Sequence, residues 1–215
     1  MKKKTILPRF AHFDGAVVPY EKAKVSVLTH ALNYGTAVFG GLRAFWNPEE
    51  EQLFVFRPED HFTRFLESTR LLNMDLPETP ASLTKSLKSL LTAEALKEDA
   101  YIRPLAFYAD EGIGVKLHGL TPAVSMVAIP FDHYVANEEG LHVTVSSWRR
   151  VDDNTIPPRG KIAGAYVNSA FAKTDALRAG FDEAIVLNRQ GHVSEGTAAN
   201  FFIVRNGRVA TPPTS

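Results

Sequence analysis

Short apolar runs punctuated by turn residues open the chain, and two segments of helical period follow them. Arg9 to Tyr20 reads as a hairpin, because Asp14-Gly15 is the dipeptide that a tight turn with positive φ requires and apolar residues flank it. Leu53 to Phe56 reads as a short strand. Pro58, Glu59 and Asp60 then supply a first-turn proline and acids, and Phe62, Phe65, Leu66, Thr69 and Leu72 fall on one helical stripe. A second helix starts at Thr79-Pro80 and carries Leu83, Leu87, Leu90 and Leu91 on one face. Tyr101 to Tyr108 and Ala123 to Pro130 are apolar, β-rich strands.

Phe131 to Gly140 is polar without a period, so the expected boundary falls there. Residues 1–133 are expected to form a small N-terminal α/β domain, 134–140 a linker, and 141–215 the first part of a second domain. In that second part Leu141, Val143 and Val145 alternate with polar neighbours, the pattern of a half-buried strand. Gly164 to Ala179 reads as a helix with Val167, Ala170, Phe171 and Thr174 on one side and Gly180 at its C-terminal end. Glu183 to Asn188, His192-Val193, Phe201 to Arg205 and Arg208 to Thr211 read as strands, the last pair turning at Asn206-Gly207. One helix and a few strands are too little to cover both faces of a sheet, so the second domain is expected to be incomplete.

Composition removes several classes of function. Lys plus Arg and Asp plus Glu each number 24 in 215 residues, so no net field gathers nucleic acid or an anionic membrane. Cysteine is absent, which excludes disulfides, thiolate catalysis and cysteine-ligated metals and makes the cytoplasm the default location. No apolar run is long enough to span a bilayer, and Thr5 to Arg9 is too short for the core of a secretion signal. The seven histidines, at 12, 30, 61, 118, 133, 142 and 192, show no metal-binding spacing and read as structural. Asp152-Asp153 reads as a solvated turn and Gly112-Ile113-Gly114 as a loop.

Two segments carry candidate chemistry. In Thr155-Ile156-Pro157-Pro158-Arg159-Gly160-Lys161-Ile162-Ala163-Gly164-Ala165-Tyr166, a lone lysine sits among prolines, glycines and alanines. Small neighbours let a bulky planar ligand approach the backbone, which suits a Schiff-base lysine, and Tyr166 in the first helical turn can point its phenol back toward the amine. In Gly191 to Asn200, Glu195 is expected in a Ser/Gly/Thr turn directly before the strand from Phe201. An acid fixed there can pair with a protonated pyridine nitrogen.

With these two segments the sequence resembles the fold-type IV pyridoxal-phosphate enzymes, and within them the branched-chain amino acid aminotransferases. The ordered matches are Ala31-Leu32-Asn33-Tyr34-Gly35-Thr36-Ala37-Val38-Phe39, Gly41-Leu42-Arg43, Tyr101-Ile102-Arg103-Pro104-Leu105, Val145-Ser146-Ser147-Trp148, Lys161 to Asn168 and Ser194 to Phe201. The resemblance implies an α+β two-domain fold: a small N-terminal α/β domain with a mainly antiparallel sheet, and the start of a larger pseudo-barrel domain. It implies pyridoxal 5'-phosphate held as an imine on Lys161, with Glu195 at the pyridine nitrogen, Tyr166 at the ring hydroxyl and Arg64 at the phosphate. It also implies a substrate pocket lined by Tyr34, Phe39, Arg43, Tyr101, Arg103 and Tyr134. The aromatics would serve an aliphatic side chain and the arginines a carboxylate.

The activity so implied moves the amino group of leucine, isoleucine or valine to 2-oxoglutarate, in a homodimer or larger homo-oligomer, with neither nucleic acid nor membrane as partner. A D-amino acid aminotransferase, an aminodeoxychorismate lyase and an amine transaminase share the fold, and a shortened product without activity is the alternative from outside enzymology. Three positions depart from the family: Gly40 and Ala199 stand where glutamate is common, and Gly160 where alanine is common. Gly40 is expected to loosen the loop that bears Arg43. The family also continues past Pro212-Pro213 into a phosphate-binding turn.

Overall fold

Residues 10–19 fold into the hairpin that Asp14-Gly15 dictates, since both turn residues take positive φ, 51° and 77°. Its strands β1 (Phe10–Phe13) and β2 (Ala16–Pro19) pair in antiparallel register. A computed structural model describes residues 6–131 and 139–213 of the chain. They divide into two compact units, Met1–Tyr134 and Val135–Ser215.

The first unit is a seven-stranded antiparallel sheet. The remaining strands are β3 (Ala37–Phe39), β4 (Leu42–Asn47), β5 (Gln52–Val55), β6 (Ala100–Tyr108) and β7 (Pro122–Pro130). Their order is β2-β1-β7-β6-β4-β5, with β3 also pairing β6. Strands β3 and β4 therefore run along the same partner, interrupted at Gly40-Gly41 opposite Arg103-Pro104. Gly40 does not loosen this loop as the sequence suggested. It is buried, its N–H bonds the Pro104 carbonyl at 2.9 Å, and a Cβ there would lie 2.7 Å from Pro104 Cγ.

Helices α2 (Pro58–Arg70) and α3 (Pro80–Glu94) supply the apolar layer of this unit, and the five-residue helix α1 (His30–Tyr34) precedes β3. Proline opens α2 and α3, where its missing N–H costs nothing. Thr79 and Ser82 cap α3 reciprocally, each side chain accepting the other's backbone N–H at 3.1 and 2.9 Å. The expected stripes are buried at Phe62, Phe65, Thr69, Leu83, Leu87 and Leu90, together with Ala100, Ile102, Met126 and Ala128 of the sheet. Tyr108 is buried as well and spends its hydroxyl on the Leu72 carbonyl at 2.7 Å.

The second unit holds β8 (Val143–Arg149), α4 (Tyr166–Arg178), β9 (Glu183–Leu187) and β10 (Val193–Gly196) in a three-stranded sheet of order β10-β9-β8. β8 and β9 are parallel and α4 crosses between them, while β10 returns antiparallel. β11 (Ile203–Arg205) and β12 (Arg208–Ala210) form a separate hairpin turning at Asn206-Gly207.

Three expectations are corrected in this unit. Val143 and Val145, the apolar positions of β8, are 44% and 57% exposed, and Ser146 is the buried residue of the strand. Val167 and Phe171 of α4 are likewise exposed, and Ala172 and Ala176 face inward. Small alanines let the helix backbone approach β8 and β9 closely, so bulk stays on the outer side, where Phe171 stacks on Trp148 at 4.7 Å. Glu195 lies inside β10, paired with Val186, and the turn follows at 196–200. No helix among the described residues is long and apolar enough to cross a membrane.

Candidate active site

Lys161 is held at the end of a loop whose geometry is fixed on both sides. Arg159 grips Asp153 through two bonds of 2.9 and 3.0 Å, Arg189 reaches Asp152 at 3.5 Å, and the Gly160 N–H bonds the Pro157 carbonyl at 3.2 Å. The buried Ile162 anchors the other side before the 3₁₀ turn Ala163–Ala165 leads into α4. Tyr166 is the first residue of that helix, and the Lys161 ammonium donates to its hydroxyl at 3.0 Å.

Across the same cavity stands Glu195. Arg150 follows β8, its backbone N–H fixed on the Leu187 carbonyl of β9 at 2.9 Å, and its Nε contacts Glu195 Oε1 in an ion pair. The two side chains come from opposite flanks of β9 and meet at the cavity, with Arg150 12% and Glu195 29% exposed. A volume of about 180 Å³ is lined by Arg150, Lys161, Tyr166, Ser169, Glu195, Thr197 and residues 198–200. Its wall is polar. An amine beside a phenol, with a carboxylate facing the same space, can engage a planar heteroaromatic ligand at an electrophilic carbon, a hydroxyl and a ring nitrogen.

The turn after Glu195 is clamped from below. Thr197 is 4% exposed and donates its hydroxyl to Glu183 Oε1 at 2.6 Å, while Ala184 N–H and Lys173 Nζ bond the same carboxylate at 2.8 and 2.9 Å. Burial pushes the Glu183 carboxyl up, and the hydrogen bonds from Thr197, Ala184 and Lys173 outweigh it, so the group sits below its ordinary value. The Gly196 N–H closes the turn on the Ala199 carbonyl at 2.7 Å.

In the first unit, the interruption at Gly40-Gly41 gathers a second cluster. Arg103 lies 4.5 Å from the Phe39 ring centroid and donates to the Tyr101 hydroxyl at 3.0 Å. That hydroxyl approaches Gly41 so closely that a Cβ at position 41 would collide with it. Arg43 bonds the Phe131 carbonyl at 3.3 Å, pairs with Asp99 at 3.6 Å and lies over the Phe45 and Phe131 rings. Tyr34 accepts the Gly114 N–H at 3.0 Å, and Arg64 is exposed on α2. Tyr134 lies outside the described residues.

The structure thus brings Lys161, Tyr166 and Glu195 around one cavity, and Phe39, Tyr101 and Arg103 into another group. Arg150, Ser169, Thr197 and Glu183 escaped the sequence reading. Arg150 follows an arginine at a strand end and looks like a solvated charge, and Glu183 opens a strand where an acid commonly faces water. A register for β9 against both neighbours brings Arg150, Glu183 and Thr197 to the site, and the packing of α4 brings Ser169.

Comparison with known proteins adds names to this geometry. Residues 38–215 match the family described as amino-transferase class IV. The chain is 47% identical to a probable branched-chain-amino-acid aminotransferase of Aquifex aeolicus over 203 residues, 94% of this chain and 65% of that protein. It is 37% identical to the branched-chain-amino-acid aminotransferase of Escherichia coli K12 over 205 residues, again 94% of this chain and 65% of the relative. The chain therefore spans about two thirds of the length of these curated relatives. Among solved structures it superimposes with a TM-score of 0.91 on the branched-chain aminotransferase of Thermoproteus uzoniensis with norvaline, at 43% identity, covering 96% of this chain and 68% of that one. On the branched-chain amino acid aminotransferase of T.th. complexed with N-(5'-phosphopyridoxyl)-L-glutamate the TM-score is 0.90 at 37% identity, covering 98% and 69%.

Proposed function

The chain belongs to the amino-transferase class IV family, with the fold-type IV α+β architecture of its solved relatives, and from that we propose that the protein is a pyridoxal-phosphate-dependent transaminase of branched-chain amino acids. The observation that carries the proposal is the 3.0 Å contact of Lys161 Nζ with Tyr166 Oη in a cavity that Glu195 also lines. That donor set fits the cofactor: an amine for its aldehyde, a phenol for its ring hydroxyl and a half-buried carboxylate for its ring nitrogen. Arg64 is the proposed phosphate ligand, as the resemblance implies. When bound, pyridoxal phosphate supplies an electrophilic carbonyl for amines and a conjugated ring that takes up electron density from the substrate α-carbon.

The chain's own residues do the remainder. Lys161 would hold the cofactor covalently, and its amine, when free, would move a proton between the substrate α-carbon and the cofactor's aldehyde-derived carbon. Tyr166 holds that amine in line through its hydroxyl. Glu195 would accept a hydrogen bond from the ring nitrogen. Phe39, Tyr34, Tyr101 and Tyr134 are proposed as the apolar wall for a branched side chain, and Arg43 and Arg103 as the cations for the γ-carboxylate of glutamate or 2-oxoglutarate. The cations already lie over aromatic rings, Arg103 over Phe39 and Arg43 over Phe131. A pocket that must take both an aliphatic and a diacid substrate needs both surfaces.

Cytoplasmic residence, favoured by a sequence without cysteine, is part of the same proposal, as is a homodimer. The dimer is supported by exposed Val27, Leu28, Leu32, Ile113 and Val115 in the first unit. Borohydride reduction of the cofactor-loaded protein followed by peptide mapping is expected to find the pyridoxyl group on Lys161. An adduct on another lysine, or amino transfer from D-amino acids but not from L-leucine, overturns the reading.

A further inference from the structure

The resemblance gives Glu195 a role but says nothing about what fixes its carboxylate, and a carboxylate on a short edge strand can turn either oxygen toward solvent. We propose that Arg150 is a positioning residue for Glu195: it holds one carboxylate oxygen so that the other stays aimed into the cavity as the acceptor for the cofactor's ring nitrogen. The inference rests on the functional reading above and concerns that same site.

Three observations carry it. First, Arg150 Nε contacts Glu195 Oε1, and among the described residues no hydrogen bond engages Oε2. Second, the pair is built from the sheet. Arg150 and Glu195 sit on strands or strand ends flanking β9, about 10 Å apart at two strand spacings, and the Arg150 backbone is pinned to Leu187 while Glu195 pairs with Val186. A side chain of arginine length is needed to span that gap. Third, the Arg150 side chain is only 12% exposed, so it is packed into the site beside Glu195 and not turned to solvent.

The chemistry favours arginine over lysine. A rigid, planar guanidinium donating through Nε restricts the direction from which one carboxylate oxygen is held, whereas an ammonium on a flexible stem fixes only its distance. Because Nη1 is buried and unpaired, a direct role for Arg150 at the cofactor phosphate is the main competing interpretation.

The test uses the purified protein as apo form and loaded with pyridoxal phosphate, in R150M, R150K, E195Q and R150M/E195Q forms. Cofactor affinity is read by fluorescence titration of the apo forms with pyridoxal phosphate and with pyridoxal. Ring-nitrogen protonation is read from the pH dependence of the bound cofactor's absorption band. R150M is expected to move that band toward the E195Q spectrum and to lower kcat about tenfold or more with KM little changed. R150K is expected to fall between wild type and R150M, and the double variant to be no worse than E195Q alone.

Additive losses in the double variant, or an R150M spectrum identical to wild type, overturn the proposal. So does a selective loss for pyridoxal phosphate with pyridoxal binding unchanged, which assigns Arg150 to the phosphate instead. If R150M does not fold, the R150K spectrum decides alone, a wild-type band in R150K overturning the proposal. A wild-type protein that takes up no cofactor at all overturns the functional reading and this inference together, whereas normal uptake with unresponsive Arg150 variants removes only the inference.

Discussion

In Met1–Tyr134, helices α2 and α3 bury Phe62, Phe65, Leu83, Leu87 and Leu90 against Ile102 and Met126. Among the described residues of Val135–Ser215 the buried side chains are mostly small or polar, among them Ala165, Ala172, Ala176, Ala184, Ser146 and Thr197, with Val186 and Ile162 the larger exceptions. The first unit is held by apolar area, which is tolerant of detail. The second is arranged by directional contacts, Lys161 with Tyr166, Arg150 with Glu195, and Glu183 with Thr197, Ala184 and Lys173. Area stabilises a scaffold, and directional bonds place reactive atoms.

Substitutions can break this contrast in descending order of effect. Lys161→Ala is expected to lower transamination on the order of 10³-fold or more, while the apo protein keeps its melting temperature; activity assays beside thermal melts check both halves. Leu87→Ala, at a position 2% exposed, is expected to cost about 2–5 kcal/mol of stability without changing KM, and a denaturant titration reads the cost.

Glu183→Gln leaves Thr197, Ala184 and Lys173 with a poorer acceptor, for an expected loss of about 1–3 kcal/mol and weaker cofactor retention. Its pH signature has a definite sign. The folded carboxyl sits below its ordinary 4.5, so its stabilisation is present above that pH and fades as pH falls through the folded value. The variant should lose this acid-sensitive step. His12 of the first unit responds earlier: burial holds its imidazole below 6.5, opposed by the nearby Glu78, so its contribution fades as pH drops under that value. Amide hydrogen exchange, followed separately in the two units, should show the first loosening at higher pH.

Val145→Thr is the smallest expected change, within about 0.5 kcal/mol, because the residue is 57% exposed. A loss above about 1.5 kcal/mol in a thermal melt would mean that this face of β8 is covered in solution, and the contrast between the units would weaken.

The contrast also explains what the amino-acid pattern could reveal. In the first unit the helical stripes of α2 and α3 and the Asp14-Gly15 turn are legible, because burial of large apolar residues sets both period and outcome. The interruption at Gly40-Gly41 is not legible, since it depends on where Tyr101 and Pro104 lie on the neighbouring strand. In the second unit the same pattern misleads: Val145 and Phe171 mark the outer faces, and the inward residues are alanines that carry little periodic signal. The chemistry follows suit. Lys161 and Tyr166 share one local segment and could be paired by eye, whereas Arg150 meets Glu195 only through the pairing of both flanks with β9.

Strand β9 therefore works as a ruler. Its five residues set Glu183 under the turn at one end and Leu187 beneath Arg150 at the other, with Val186 facing Glu195 between them. Its length is therefore fixed: deleting one residue would turn alternate side chains to the opposite face and pull the two ends out of phase.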